Sequence, residues 1–94
     1  MKFVINNLKY DTDKMELISE KCKHFYKAIF WGTEMWCDAR NVQLWKSKKG
    51  RWLLTYKTTS DTYGKALSEY EAKNILVKYD LEAYEKIFME LEEA

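Results

Sequence analysis

Residues 45 to 54, WKSKKGRWLL, place two tryptophans around a loop that holds three lysines, a glycine and an arginine. Flat rings beside positive charge can bind nucleic acid, because a ring stacks on a base while lysines neutralise phosphates. Tryptophan and arginine also anchor protein interfaces. A third interpretation is structural, since a lysine-rich tip protects a hairpin edge from aggregation. The candidate partner-binding residues are Trp45, Lys46, Lys48, Lys49, Arg51 and Leu53, with Trp36 from the preceding segment.

A second set of side chains, Cys22, His24, Cys37 and Asp38, consists of residue types that bind zinc. On a helix, which the spacing below predicts for this segment, Cys22 and His24 would point about 200° apart, so the four groups would not converge. The stretch KSKKG lacks the glycine spacing of a phosphate-binding loop, and no serine lies in a nucleophile elbow. We therefore predict no metal site, no cofactor and no enzymatic activity.

Composition indicates an ordered cytoplasmic protein. The 94 residues suit a single domain spanning 1–94, and a hydrophobic content of 47% supplies apolar surface for a core. No apolar run approaches the roughly 20 residues that cross a bilayer, and MKFVINNLKY does not have the pattern of a signal peptide. The two cysteines are then expected to be reduced.

Charge is distributed unevenly along the chain. Residues 1–57 carry twelve Lys or Arg against six Asp or Glu, whereas residues 58–94 carry four against nine. Such asymmetry is found in proteins with a basic binding face and an acidic arm, and equally in proteins with two solvated faces that partly neutralise each other.

The first third of the chain is predicted to form a hairpin and then a helix. The segments KFVI and LKY flank Asn6-Asn7, which tolerates the positive φ of a two-residue turn. Asp13 and Glu16 have the spacing of a capping box, and Gly32 would end the helix. Spacings of three and four relate the apolar residues Met15, Ile18, Cys22, Phe25 and Ile29. Residues 33–41 are predicted as a short strand and a turn.

The middle of the chain is predicted to form a second hairpin. NVQLWK and RWLLTYK read as strands around SKKG, with Gly50 at a left-handed position. Pairing Ser47 with Arg51 divides the side chains between two faces of the sheet. One face carries Val42, Leu44, Trp52, Leu54 and Tyr56, and the other carries Gln43, Trp45, Leu53 and Thr55. The first face is predicted to be core, and the second must be covered by a helix or left for a partner.

The last third is predicted to be a polar loop, TTSDTYG, followed by two helices. Ser68 and Glu71 form a capping box at the first helix, and Asp80 ends it and caps the second. The apolar stripe of the second helix is Leu81, Tyr84, Phe88 and Leu91. The predicted fold is α+β: an antiparallel sheet of two hairpins packed with about three helices, in the order ββαββαα.

Three stretches, INNLKYDT, LWKSKKGRWLL and ALSEYEAKNILVKYD with YEKIF, resemble small accessory proteins of bacteriophages and integrative conjugative elements of Gram-positive bacteria. Those proteins share a YDT motif, a KKG hairpin flanked by aromatic residues, and a helix opened by LSEEEA. Residues 23–40 have no counterpart in the pattern. The resemblance implies a protein that inhibits a host defence system, as anti-CRISPR proteins do, inside the bacterial host cell.

Three functions remain open from the sequence. The first is a stoichiometric inhibitor of a host protein, in which the unmatched segment supplies specificity. The second is a nucleic-acid-binding protein that uses the basic and aromatic residues between Trp45 and Trp52. The third is a sponge for a small signalling nucleotide, which the surplus of aromatic rings favours although no phosphate cradle is visible. The sequence leaves the oligomeric state open.

Overall fold

A computed structural model of the chain describes residues 1–59, 61–89 and 92–94. The strands within these residues are β1 (Lys2–Ile5), β2 (Leu8–Asp11), β3 (Glu16–Ser19), β4 (Phe25–Phe30), β5 (Thr33–Asp38), β6 (Arg40–Lys46), β7 (Trp52–Lys57) and β8 (Thr62–Leu67). The helices are α1 (Glu69–Tyr79) and α2 (Leu81–Phe88), and a single 3-10 turn spans Thr12–Lys14. Strands β3-β6-β7-β8 form one antiparallel sheet, while β1–β2 and β4–β5 form separate hairpins.

The predicted α+β class with antiparallel sheets is confirmed, but the order ββαββαα is wrong in detail. The described residues contain two α-helices rather than about three, because the segment predicted as the first helix forms β3 and β4. Aromatic and β-branched side chains dominate β4, and such residues lose rotamer freedom in a helix and pack well in a strand. The segment predicted as a polar loop also contributes β8, which pairs with β7 along its whole length.

The turns between β1 and β2 and between β6 and β7 form as the sequence predicts. Asn6 and Asn7 have φ values of 52° and 63° between β1 and β2. In the β6–β7 loop, the Ser47 N–H donates to the Arg51 carbonyl at 2.8 Å and Gly50 has a φ of 83°. The resulting register pairs Leu44 with Leu54, as predicted.

The two helices and their caps are also confirmed. Ser68 and Glu71 form the capping box of α1. Asp80 caps α2 through Oδ1, which accepts from the Ala83 N–H at 3.2 Å, while its Oδ2 accepts from the Ser19 hydroxyl at 2.6 Å. This buried bond ties β3 to the junction of the helices. Leu81 is 46% exposed, contrary to the predicted stripe, and Leu91 lies outside the described residues. Neither described helix is long and apolar enough to span a bilayer.

Strand β7 is buried on both of its faces. Trp52, Leu53, Leu54 and Thr55 are each no more than 1% exposed. The helices cover one face, where the core cluster comprises Cys22, Ala39, Val42, Leu44, Trp52, Leu54, Ala72, Leu76 and Tyr84. This is the face predicted to be core.

The opposite face of the sheet is covered by the β1–β2 hairpin rather than by a helix. On this face the Trp45 Nε1–H donates to the Thr55 hydroxyl at 2.9 Å. Gly64, which pairs with Thr55, lies so close to Phe3 that a Cβ at residue 64 would be 2.8 Å from the ring. Leu53 is consequently inaccessible to a partner.

Truncation of three tryptophans should give a graded loss of stability. Trp52→Ala should lower the free energy of unfolding by about 3–5 kcal/mol, because it empties a buried volume. Trp45→Ala should cost about 1–3 kcal/mol, since it removes partial packing and the donor to Thr55. Trp36→Ala should cost less than about 0.5 kcal/mol, because Trp36 is 68% exposed. Urea denaturation measures all three, and an equal loss at Trp45 and Trp52 would contradict the half-buried position of Trp45.

Gly64→Ala should destabilise the protein, although alanine is intrinsically the better residue within a strand. The new methyl group would overlap the Phe3 ring, and overpacking of this kind costs about 1–3 kcal/mol. The double variant Phe3→Leu with Gly64→Ala should recover part of that loss, as measured by a double-mutant cycle. A stabilising Gly64→Ala would show that β1–β2 does not pack on this face.

Candidate functional site

The β4–β5 hairpin projects from the rest of the protein. At its base the Ala39 N–H donates to the His24 carbonyl at 2.8 Å, and Tyr26 packs against the core cluster. Among the described residues, no third strand pairs with either edge of this hairpin. The radius of gyration is 14.5 Å, against about 12 Å for a compact domain of this length. The hairpin therefore stands out with its base fixed and its outer half in solvent.

Large apolar side chains cover the projecting hairpin. The exposed fractions are 103% for Trp31, 72% for Ile29, 68% for Trp36, 51% for Met35, 46% for Phe25 and 43% for Phe30. We call these six residues the exposed hairpin patch. The register places Phe25, Ile29 and Trp36 on one face, and Phe30 and Met35 on the other, with Trp31 at the tip. Large exposed apolar surfaces mark interaction sites in soluble proteins.

The tip of the hairpin combines an unfavourable backbone conformation with full exposure. Trp31 and Gly32 have φ values of 53° and 78°, which is the pattern of a type I′ turn. The equivalent turn between β1 and β2 uses Asn6 and Asn7, residues that accept positive φ readily. A bulky aromatic residue at such a position is an outlier, and outliers of this kind concentrate at functional sites. Local backbone preference therefore does not explain a tryptophan at this position.

The exposed hairpin patch carries little net charge. Lys27 Nζ lies 3.8 Å from a carboxylate oxygen of Glu34 and 5.1 Å from the centre of the Trp36 ring. The lysine charge is therefore offset within the hairpin. An ion pair this exposed adds little stability. With Asp38, which pairs with Phe25, the hairpin carries one lysine against two carboxylates and so no excess of positive charge.

The structure separates the residues that the sequence grouped around the β6–β7 loop. Lys48, Lys49 and Arg51 are exposed together in this loop, residues 47–51, which we call the basic loop. Lys46 instead points to the helix-covered face, where its Nζ lies 5.4 Å from the centre of the Trp52 ring. Trp45 is half-buried on the opposite face.

Two other candidate residues have contrasting positions. Leu53 is completely buried, so its proposed contact with a partner is wrong for this structure. Trp36 is exposed, but it belongs to β5 of the projecting hairpin rather than to the basic loop. Because β6 begins beside the base of that hairpin and ends at the basic loop, about 20 Å of strand separates the two regions.

The four residues with metal-binding side chains differ in exposure: Cys22 is buried, His24 and Cys37 are partly buried, and Asp38 is exposed. Cys22 is buried, and burial raises the pKa of its thiol. His24 packs on Tyr56 with ring centres 4.2 Å apart, and burial lowers the pKa of its imidazole. Within residues 1–59, 61–89 and 92–94, no three His, Cys, Asp or Glu residues come close enough together to hold a metal ion.

The sequence analysis missed most of the exposed hairpin patch. The predicted helix placed Phe25 and Ile29 on a buried stripe, which concealed the turn at Trp31-Gly32. FYKAIF and TEMWCD are two runs rich in strand-forming residues, and they are separated by two residues that end in glycine. That arrangement is a hairpin signal, but the spacing of three and four competed with it.

Comparisons with protein families, with curated proteins and with solved structures found no significant match to this chain.

Proposed function

We propose that this protein acts by stoichiometric binding, inserting the exposed hairpin patch into an apolar groove of a partner protein. The observation that carries the proposal is Trp31, which is fully exposed and held at positive φ at the tip of a projecting hairpin. Tryptophan is enriched among the residues that dominate the energy of protein interfaces. The turn at the tip holds the ring away from the rest of the protein, where a concave partner surface can enclose it.

The chemistry of the patch favours a protein over a nucleic acid. A nucleic-acid surface requires cations that neutralise phosphates, but the cation nearest to Trp36 is offset by Glu34. Aromatic side chains and methionine, in contrast, are enriched in the cores of protein interfaces. The projecting shape suits insertion into a concave surface.

The partner is proposed to be a component of a bacterial defence system, so that binding inhibits it without catalysis. This part of the proposal is supported by the resemblance of the KKG hairpin and the LSEYEA helix to accessory proteins of mobile genetic elements. The hairpin patch lies within residues 23–40, the segment that the resemblance leaves unmatched. A segment that differs between related inhibitors is where specificity for different targets is expected.

Trp31→Asn should weaken binding without weakening the fold. Asparagine suits positive φ, so the melting temperature should stay constant or rise, while the loss of the ring should weaken partner binding at least tenfold, or about 1.4 kcal/mol. The assay counts the plaques that a phage forms on a host that carries a defence system and expresses the protein. Fewer plaques are expected with Trp31→Asn than with the unchanged protein, because the defence system would no longer be inhibited. Affinity for the captured host component, measured after nuclease treatment, is the parallel readout.

Tyr70→Gln is the matched control, because Tyr70 is an aromatic residue on α1 that is 74% exposed. It should leave plaque formation and affinity unchanged. Equal loss of activity in both variants would contradict a role for the hairpin. A homodimer that dissociates in Trp31→Asn would also contradict the proposal, since the hairpin would then bind a second copy of this chain.

The second candidate function, nucleic-acid binding by the basic loop, rests on the joint exposure of Lys48, Lys49 and Arg51. Binding to random double-stranded DNA should be weak because few counterions are released, and it should fall further between about 50 and 200 mM salt, with a slope set by the number of phosphates that the loop neutralises. A fluorescence titration tests this. Sub-micromolar binding at the higher salt concentration would favour the second function over the first.

A further inference from the structure

A second candidate binding region lies at the other end of β6 from the exposed hairpin patch. Strand β2 and the turn after it face the β6–β7 loop across a cleft of about 380 Å³. One wall is formed by residues 8–11, 14 and 15, and the other by residues 47–49 and 51. Because these segments are far apart in the sequence, only the fold reveals the cleft. Its volume lies within the usual range for small-molecule sites.

Five cations line this cleft, which we call the basic cleft. They are Lys9, Lys14, Lys48, Lys49 and Arg51. In the part of the chain that the structure describes, none of the five forms an ion pair with a carboxylate. Crowded positive charges repel one another, and a bound anion would relieve that repulsion.

The acidic side chains near the basic cleft only partly balance this charge. Asp11 lines the cleft, and its Oδ1 accepts from the Asp13 N–H at 3.1 Å. Asp13 and Glu16 border a neighbouring depression together with Lys14 and Lys48. The excess of positive charge is therefore greatest around Lys9, Lys49 and Arg51, which do not border that depression.

The floor of the basic cleft is apolar. Leu8, Tyr10 and Met15 line it, and Tyr10 is only 6% exposed. Apolar floors with a few polar groups at the rim are typical of sites for small organic ligands. Inorganic phosphate has no apolar part that could contact this floor.

The loop that carries three of the five cations is held in a defined conformation. The Arg51 N–H donates to the Ser47 hydroxyl at 3.0 Å, and the Gly50 N–H donates to the Ser47 carbonyl at 3.0 Å. The cations are thus presented on a formed turn, so less conformational entropy is lost when a ligand binds. Arginine in such a position can bind two phosphate oxygens at once.

We propose that the basic cleft binds a phosphorylated small molecule of nucleotide size, with its phosphates on Lys49 and Arg51 and its organic part against Leu8 and Met15. The proposal goes beyond partner binding by the hairpin patch, and about 20 Å of β6 separates the two sites. The two proposals can therefore be tested independently, and a negative result for one does not contradict the other. Nucleic-acid strands share the phosphate chemistry, and the test distinguishes them.

Isothermal titration calorimetry with ATP, pyrophosphate and adenosine tests the proposal. We expect ATP to bind with a dissociation constant below about 100 μM, pyrophosphate to bind more weakly, and adenosine to bind at least tenfold more weakly than ATP. The double variant Lys49→Gln with Arg51→Gln should lose at least tenfold in ATP affinity. The control, Lys21→Gln with Lys23→Gln, removes two exposed lysines outside the cleft and should change ATP affinity less than twofold.

A second readout places the ligand. In amide NMR spectra, ATP should shift the signals of Tyr10 and Gly50 and leave those of Trp31 and Gly32 unchanged. Three results would each overturn the proposal: no binding of ATP or pyrophosphate at millimolar concentration, equal losses in the cleft and control variants, or affinity for single-stranded oligonucleotides that exceeds that for ATP and increases with strand length. The last result would identify a strand-binding surface instead.

Discussion

The burial of β7 on both faces is the constraint on which the rest of the structure depends. A strand whose four successive residues Trp52 to Thr55 are all excluded from solvent needs a cover on each side. Helices α1 and α2 cover one side, and the β1–β2 hairpin covers the other. The Asp80 carboxylate then joins the start of α2 to β3, which is an edge strand of the same sheet. The covering elements are thus held by contacts on three strands of the sheet: Phe3 lies against Gly64 of β8, Phe88 stacks on Trp52 of β7, and Asp80 accepts from Ser19 of β3.

This arrangement explains why the β4–β5 hairpin is left exposed. Once both faces of the central sheet are covered, that hairpin has only its base to bury, through Tyr26 and the backbone bond between Ala39 and His24. Two paired strands alone are only marginally stable in water. In this hairpin, large apolar side chains are also exposed to water, which is unfavourable. A surface of this kind is costly for an isolated molecule and becomes favourable when a partner covers it.

Sequence reasoning succeeded where local chemistry determines the structure. Asn6-Asn7, the Gly50 turn, the Ser68 capping box and the Asp80 cap each depend on a few adjacent residues, and each was predicted. It failed where long-range contacts decide. Strand β8 forms because β7 offers it a partner, and no periodicity within residues 62–67 required it.

The candidate sites show the same division. The sequence identified Lys48, Lys49 and Arg51 because they are neighbours in one loop, but Lys9 and Lys14 join them only through the packing of β2 beside that loop. Leu53 was assigned to the wrong environment because the cover on its face comes from residues about fifty positions away. Trp31 was hidden by an accidental helical spacing.

Amide hydrogen exchange on the protein alone tests the central claim most directly. If the fold is built around β7, the amides of Leu53 and Leu54 should exchange only through global unfolding. Amides in the outer half of β4–β5, from Ala28 to Met35, should exchange through local opening at least about 100-fold faster. Equal protection of the two strand pairs would contradict the account, because the projecting hairpin would then unfold together with the core rather than separately from it.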